Sequence, residues 1–167
     1  KHYRCNPMYY NPNVSYATPK NSDGTSFANQ SFTAAKYDGY SGTTTTNLST
    51  SFRAYDSTTG NSFGSDTSQA AYYFLYSGTQ TSFVYNAAPC SDNVGTSPFA
   101  ATGGGTWTKV IVSATSGPGG TDERQNFANW YSYYRTRIMM IKSAVSLSFV
   151  QLTNSYRVGF ITLLPGS

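Results

Sequence analysis

The feature that most constrains this chain is a long helical pattern near its end, over residues 121 to 150. It opens with TDERQNFANWYSYYRTRIMMIK, where apolar side chains recur every three or four residues, as on one face of an α-helix. The residues of this predicted stripe are Phe127, Tyr131, Tyr134, Ile138, Ile141 and Val145. The pattern predicts one continuous helix of about 29 residues and about 43 Å. We expect Thr121 to cap its N-terminus, with Asp122 and Glu123 favoured in the first turn by the helix dipole.

An apolar segment, YRVGFITLL at residues 156 to 164, follows the helical pattern after a short polar stretch in which Asn154 is expected to end the helix. Because this segment is apolar on both faces, it is typical of a strand in the middle of a covered sheet. Helix, turn and buried strand in that order make half of a βαβ unit. The sequence therefore predicts an α+β fold: a Tyr/Ser/Thr-rich β region over 1–120, then a long helix and a strand over 121–167.

The residues before the helix have the composition of loops and exposed strands. Two Asn-Pro steps and one Thr-Pro predict an extended arm with turns over residues 1 to 22. Asp23-Gly24 and Asp38-Gly39 predict turns, and residues 58 to 68 a loop. Strands are predicted at 46 to 55, at 70 to 78 and 82 to 86 as a hairpin, and at 107 to 113.

Aromatic side chains replace the usual aliphatic core. The chain has 15 tyrosines and 10 phenylalanines, and only 11% of its residues are charged, so the composition is not that of a disordered chain. The formal charge is +4, but the basic residues are spread along the sequence. We therefore expect no nucleic-acid partner, because such a partner requires a denser basic stripe.

Cys5 and Cys90 lie far apart in the sequence and outside any metal-type spacing. In a chain rich in Tyr, Ser, Thr and Asn, we expect an exported protein in which the two cysteines form a disulfide bond. Two separate buried thiols are the alternative. The chain has neither a signal-peptide pattern nor an apolar run long enough for a membrane span, so we expect any targeting segment to be removed or to lie outside it.

The side chains that usually carry catalysis are scarce. His2 is the only histidine, and Glu123 is the only glutamate among seven carboxylates. The motif TGGGT lacks the Lys-Ser/Thr pair of a phosphate loop and leads into a predicted strand. We therefore expect a non-enzymatic protein with no cofactor in this chain. Exposed tyrosines and Trp107 could stack on sugars or on a partner, and packing within the sheet is the alternative.

Several stretches of the sequence resemble the N-terminal region of the PilC/PilY family of type IV pilus tip-associated adhesins and pilus assembly proteins. They are QNFANWYSYYRTR, YRVGFITL, YNPNVSY, DGTSFANQSF and YYFLYSG. The resemblance covers nearly the whole chain. It implies an exported, extracellular protein at the pilus tip or cell surface, which supports pilus biogenesis and cell adhesion through minor pilins, other pilus subunits, or a host surface or substratum.

The same resemblance implies part of a von Willebrand factor A-like domain with a long insertion over residues 1 to about 120. The helix at 121 to 151 and the strand at 156 to 164 would be its first helix and next strand. The metal site of such domains begins with Asp-x-Ser-x-Ser, whereas the nearest sequence here, DTSQA at 66 to 70, lacks the last serine. We therefore expect no metal site in this chain, which looks like a fragment or a naturally short relative.

Further aromatic and apolar residues of the helix lie outside its stripe, among them Trp130, Tyr133, Met139 and Met140. We expect them to pack against the tyrosine-rich hairpin, against another copy or against a partner chain. The predicted partner contacts are Trp107, Trp130, Tyr133, Arg135 and Arg137. The two arginines either stack on aromatic rings at that contact or are solvated on the helix surface. A self-assembling extracellular subunit and a carbohydrate-binding module are the alternative functions.

Overall fold

The computed structural model describes residues 3, 7–53, 68–79, 99–101, 105–150 and 152. The strands in this part of the chain are β1 (Ala35–Lys36), β2 (Thr45–Thr46), β3 (Tyr72–Gly78), β4 (Phe99–Ala101) and β5 (Gly105–Ile111). A short 3₁₀ turn at Pro118–Gly120 precedes the helices α1 (Arg124–Tyr133) and α2 (Arg137–Phe149). The described chain is therefore of the α+β class, as predicted.

Two antiparallel sheets are present in these residues. β1 pairs with β2, and the larger sheet has the order β3-β5-β4. In the larger sheet Tyr72 lies opposite Ile111 and Phe99 lies opposite Trp107. The strands predicted at 70 to 78 and 107 to 113 are confirmed. The predicted hairpin partner at 82 to 86 lies outside the described residues, and β5 is the strand that pairs with β3.

The prediction of one continuous helix is wrong, because the chain leaves the helical conformation between α1 and α2. The backbone N–H groups of Tyr134 and Arg135 both donate to Trp130 O, which closes α1. Thr136 is extended at φ −115° and ψ 155°, and its side chain accepts a hydrogen bond from Met139 N, which starts α2. The break also contradicts the single apolar stripe: Phe127 and Tyr131 are buried, whereas Ile138 and Ile141 are 64% and 59% exposed.

The predicted N-cap is wrong as well. α1 begins at Arg124, and the carboxylate of Asp122 accepts the hydrogen bond from Arg124 N at 3.0 Å. Thr121 lies three residues before the first residue of the helix, and its hydroxyl instead donates to Pro118 O. Glu123, expected to be a helix-start charge, is the N-cap residue of α1 and is only 3% exposed.

The core is a cluster of aromatic rings between the N-terminal arm, β3 and α1, as the composition predicted. The ring of Tyr10, from the arm, lies 5.2 Å from Tyr73, 4.8 Å from Phe127 and 5.7 Å from Trp130, measured between ring centroids. Tilted and edge-on pairs at these distances stabilise a core beyond the area they bury. The cluster contains residues from both sides of position 120, so α1 shares one core with the chain before it.

The segments between the arm and β3 are held by turns more than by strands. Gly24 has a φ of +83°, and its N–H donates to Asn21 O, which confirms the turn predicted at Asp23-Gly24. The strand predicted at 46 to 55 is largely wrong: a turn at Asn47 interrupts it, with Ser51 N donating to Asn47 O. Cys5, Cys90, residues 156 to 164 and nearly all of the predicted loop at 58 to 68 lie outside the described residues.

Candidate binding surfaces

Two asparagines of α1 hold the N-terminal arm in place through hydrogen bonds to its backbone. Asn126 Oδ1 accepts from Tyr16 N at 2.8 Å, and Asn126 Nδ2 donates to Val14 O at 2.8 Å. One turn later, Asn129 Oδ1 accepts from Gln30 N at 3.0 Å, and Asn129 Nδ2 donates to Tyr16 O at 3.2 Å. A primary amide offers a donor and an acceptor as a peptide group does, so α1 serves the extended arm as a neighbouring strand would.

The rings of the same block also bind backbone carbonyls of the chain before β1. Trp130 Nε1 donates to Met8 O at 3.0 Å, and Tyr133 OH donates to Ala28 O at 2.8 Å. Tyr134 OH donates to Ala17 O at 2.5 Å, and burial is the main cause that raises the pKa of this phenol to about 12. The block QNFANWYSYY therefore positions the arm through its polar atoms while its rings fill the core. Sequence reasoning missed this role, because the spacing of a helix does not reveal which loop its amides meet.

Glu123 joins the arm, the sheet and α1 from a buried position. Its Oε1 accepts from Ser116 Oγ at 2.5 Å, and its Oε2 accepts from Tyr10 OH at 3.1 Å. Burial, followed by the negative charge of Glu123, raises the pKa of Tyr10 and of Tyr73 above the usual tyrosine value. A buried carboxylate satisfied by hydroxyl donors stabilises the fold. This arrangement explains the one glutamate of the chain as a structural group.

The two arginines predicted at a partner contact have different environments. The Arg135 guanidinium lies 4.0 Å from the ring centroid of Tyr37 and 4.1 Å from that of Tyr131, and its Nη1 donates to Tyr131 O at 2.9 Å. It therefore stacks on rings of its own chain at the junction of α1 and α2. Arg137, the first residue of α2, is exposed. A contact of either arginine with a second chain stays a prediction.

The predicted aromatic contacts are buried in this chain. Trp107 is 2% exposed, and its ring packs on Tyr76 with a centroid distance of 5.1 Å. Trp107 thus packs within the sheet, which was the alternative to stacking on a sugar, and its contact with a partner stays a prediction. Trp130 and Tyr133 are likewise buried against the arm. Met139, on α2, is buried as well.

An open groove of about 680 Å³, lined by both polar and apolar side chains, runs between the arm and the start of α1. Asn13, Asn29 and Gln125 are exposed along it, and an exposed ion pair joins Asp122 to Arg124 at 2.6 Å. Hydrogen bonding and the Arg124 charge hold the pKa of Asp122 below its usual range. Such a lining can donate to and accept from a peptide backbone or another hydrogen-bonding ligand.

A second surface of a different kind lies on α2, where Ile138, Ile141 and the half-buried Val145 form an apolar row that we call the α2 stripe. Among the described residues, no group of three or more His, Cys, Asp or Glu side chains could hold a metal ion. Within that same part of the chain, none of the helices is long and apolar enough to cross a membrane. The described residues thus present an open groove beside the arm and an apolar stripe on α2.

Comparison with known proteins finds relatives that match nearly all of this chain. It is similar to type IV pilus biogenesis factor PilY1 of Pseudomonas aeruginosa strain PAK, with 32% identity over 170 residues that include 97% of the chain. PilY1 of strain PAO1 is 29% identical over 169 residues, or 93% of the chain. The chain spans only 12% to 13% of the length of these relatives. No protein-family model and no solved structure matches it.

Proposed function

Because the chain belongs to the PilC/PilY family of type IV pilus proteins, we propose that it acts in type IV pilus biogenesis as a non-enzymatic binding segment. The observation that carries this proposal is the match to PilY1 over 92% to 97% of the chain in three strains. A match of this extent includes the arm, the sheet and both helices, so it concerns the fold as a whole and not a short motif.

The geometry supports a binding role. α1 anchors the arm by side-chain amides, and the aromatic core fixes α1 against the sheet, so the groove between the arm and α1 has a rigid floor. Rigid walls lower the entropic cost of binding, since fewer groups must be ordered when a ligand arrives. We assign to this segment contacts with other pilus subunits, minor pilins foremost, without a cofactor or metal ion.

The finer parts of the proposal concern location and architecture. We place the protein outside the cell at the pilus tip, where it acts in attachment to a host surface or substratum as well as in assembly. We also propose that the helices and the segment at 156 to 164 belong to a von Willebrand factor A-like domain interrupted by the residues before position 120. The α+β composition of the described residues is compatible with that architecture.

The test is genetic and uses the gene that encodes this chain in its own bacterium. Deleting residues 1 to 167 in frame should abolish surface pili and pilus-driven surface motility, and the wild-type sequence supplied in trans should restore both. A matched variant with Ser22→Ala, at an exposed position outside the groove, should also restore both, whereas Phe127→Ala in the core should not. Normal piliation and motility in the deletion strain would refute the role in biogenesis.

The adhesin role needs a separate measurement. Purified protein added to piliated cells should compete for the surface and lower the number of attached cells, while a core variant such as Phe127→Ala should not. Unchanged attachment at saturating protein would refute a direct adhesive role and leave the biogenesis proposal standing. Self-association, the alternative function, would appear as a mass that rises with protein concentration.

A further inference from the structure

Helix α2 exposes one narrow face of apolar side chains. Ile138 is 64% exposed and Ile141 is 59% exposed, whereas Met139 and Ser143 are buried. At about 100° per residue, the three residues of the α2 stripe lie within about 60° of arc, on the side of α2 turned away from Met139 and Ser143. The two isoleucines of the stripe therefore face solvent.

The spacing of the stripe is that of a coiled-coil seam. Ile138, Ile141 and Val145 follow one another at intervals of three and four residues, which corresponds to positions a, d and a of a heptad. Leu152, the next a position in the sequence, lies just beyond the end of the helix and is 41% exposed. β-branched residues at a are typical of two-stranded coiled coils. The spacing therefore favours a second helix, lying along α2, as the occupant of the stripe.

The residues beside the stripe are basic. Arg137 precedes the first a position and Lys142 follows the d position, so they occupy g and e of the heptad, and both are exposed. Asp and Glu do not occur in the sequence from 124 to 150. Asp38 lies close enough to interact electrostatically with Lys142, but its two oxygens accept hydrogen bonds from the turn that follows it. Both edges of the stripe therefore carry a positive charge.

These charges disfavour a second copy of this chain as the occupant. In a parallel pair of helices, the g residues of one helix lie beside the e residues of the other, so Arg137 of one copy would meet Lys142 of the next. In an antiparallel pair, Arg137 would meet Arg137 and Lys142 would meet Lys142. Like charges in contact lower the affinity in either arrangement, so the complementary partner carries negative charges.

We propose that the α2 stripe binds a helix of a different protein, one with apolar residues at a and d and with Asp or Glu at e and g. The apolar row of that helix covers Ile138 and Ile141, and its carboxylates pair with Arg137 and Lys142 at the two edges. The charges select the partner, while the apolar contacts supply most of the affinity. Because the stripe extends over only about two turns of helix, we expect a dissociation constant in about the micromolar range or above.

Two synthetic peptides test the charge rule on the full chain. Both have about three heptads with Leu at a and d, and one has Glu whereas the other has Lys at every e and g position. In fluorescence anisotropy, the Glu peptide should bind about tenfold more tightly than the Lys peptide, and its binding should weaken as the salt concentration rises. Equal affinity of the two peptides, or no binding of the Glu peptide at about 1 mM, would overturn the proposal.

Charge reversal distinguishes a specific site from general adhesion of an apolar peptide. The double substitution Arg137→Glu and Lys142→Glu should reverse the preference, so that the Lys peptide binds more tightly than the Glu peptide, a gain that misfolding cannot produce. Ile141→Ser should weaken binding of the Glu peptide. Ile111→Ser, at a position 46% exposed on β5, is the matched control and should leave that binding unchanged. An unchanged preference in the charge-reversal variant would contradict the pairing.

Sedimentation and vesicle binding test the other occupants. A mass that rises with protein concentration, and that stays at one chain in Ile141→Ser, would overturn the proposal in favour of self-association. Binding to phosphatidylglycerol vesicles that Ile141→Ser abolishes, without binding of the Glu peptide, would overturn it in favour of a lipid surface. None of these experiments depends on pilus function, so failure here would leave the proposed function untouched.

Discussion

At the scale of single residues, the most informative positions are the asparagines of α1. Asparagine is a poor helix former, since its side chain competes for backbone hydrogen bonds. Asn126 and Asn129 nevertheless lie inside α1, where the amide of Asn126 binds the arm backbone at Val14 and Tyr16 and that of Asn129 binds backbone groups of Tyr16 and Gln30. These hydrogen bonds offset the loss in helix propensity and part of the backbone entropy, about 1 to 2 kcal/mol per residue, that ordering the irregular chain costs.

Asn129→Ala should lower the free energy of unfolding by about 2 to 4 kcal/mol, because it leaves buried backbone groups of Gln30 and Tyr16 without partners. Urea-induced unfolding followed by tryptophan fluorescence measures the loss. The exposed Asn13→Ala is the matched control and should change stability by less than about 0.5 kcal/mol. Equal stability of the two variants would show that the amide does not anchor the arm.

At the scale of elements, the break between α1 and α2 determines which faces are buried. Ser143 Oγ of α2 donates to Tyr133 O at 2.7 Å and contacts Tyr40 OH at 2.7 Å, so the end of α1 is bound by the neighbouring helix and by the chain after β1. The backbone at Gly39 lies very close to the end of α1, since a Cβ added to Gly39 would lie 2.2 Å from Tyr133 Cε1. The break between α1 and α2 therefore depends on tertiary contacts, because the local sequence RTRI by itself favours a continuous helix.

Thr136→Ala distinguishes a capped second helix from one continuous helix. Thr136 Oγ1 accepts from Met139 N, so its loss should cost about 1 kcal/mol of unfolding free energy. In an uninterrupted helix the same substitution would stabilise, since alanine is the better helix former. Chemical denaturation measures whether Thr136→Ala lowers or raises the free energy of unfolding. Thr136→Ser, which keeps the hydroxyl, should remain near the wild type, and a stabilising Thr136→Ala would contradict the break.

At the scale of the whole molecule, tyrosine forms much of the core and also donates hydrogen bonds between segments that are distant in the sequence. Burial raises the pKa of several phenols above their usual value. They are Tyr10, Tyr16, Tyr40, Tyr73, Tyr133 and Tyr134. A phenol keeps its proton in such a core because the ionised form would lose hydration. The stability of the molecule is therefore linked to pH at the alkaline end.

The direction in which stability changes with pH follows from the number of protons that each state binds. Unfolded tyrosines release their protons near pH 10, whereas the folded chain holds them longer, so the folded state binds more protons above that pH. The stabilisation is complete below pH 10 and is lost as the pH rises through the folded values, such as the one of about 12 for Tyr134.

We expect cooperative alkaline unfolding between about pH 10 and 12, with tyrosinate absorbance and circular dichroism changing together. Independent ionisation of all tyrosines near pH 10, without a change in circular dichroism, would contradict the linkage. Refolding on return to neutral pH is the control, because it excludes irreversible chemical damage.

Much of the local structure was predictable from the sequence. The strand at β3, the strand at β5, the turn at Gly24, the α+β class and the aromatic core all follow from local patterns, since they depend on neighbouring residues and overall composition. The family was recognisable for the same reason: the block around Trp130 is long and distinctive. Local sequence patterns and composition are enough to predict such features.

Only the tertiary structure determines which residues that are distant in the sequence contact one another. Whether Glu123 is a surface charge or a buried acceptor depends on Tyr10, more than 100 residues away in sequence. Whether residues 121 to 150 form one helix or two depends on what Thr136 and Ser143 contact, and the helical period is the same in both cases. The sequence determined the kinds of element and the material of the core. Only the folded chain determined which polar groups meet, because hydrogen bonds between distant segments leave no periodic pattern.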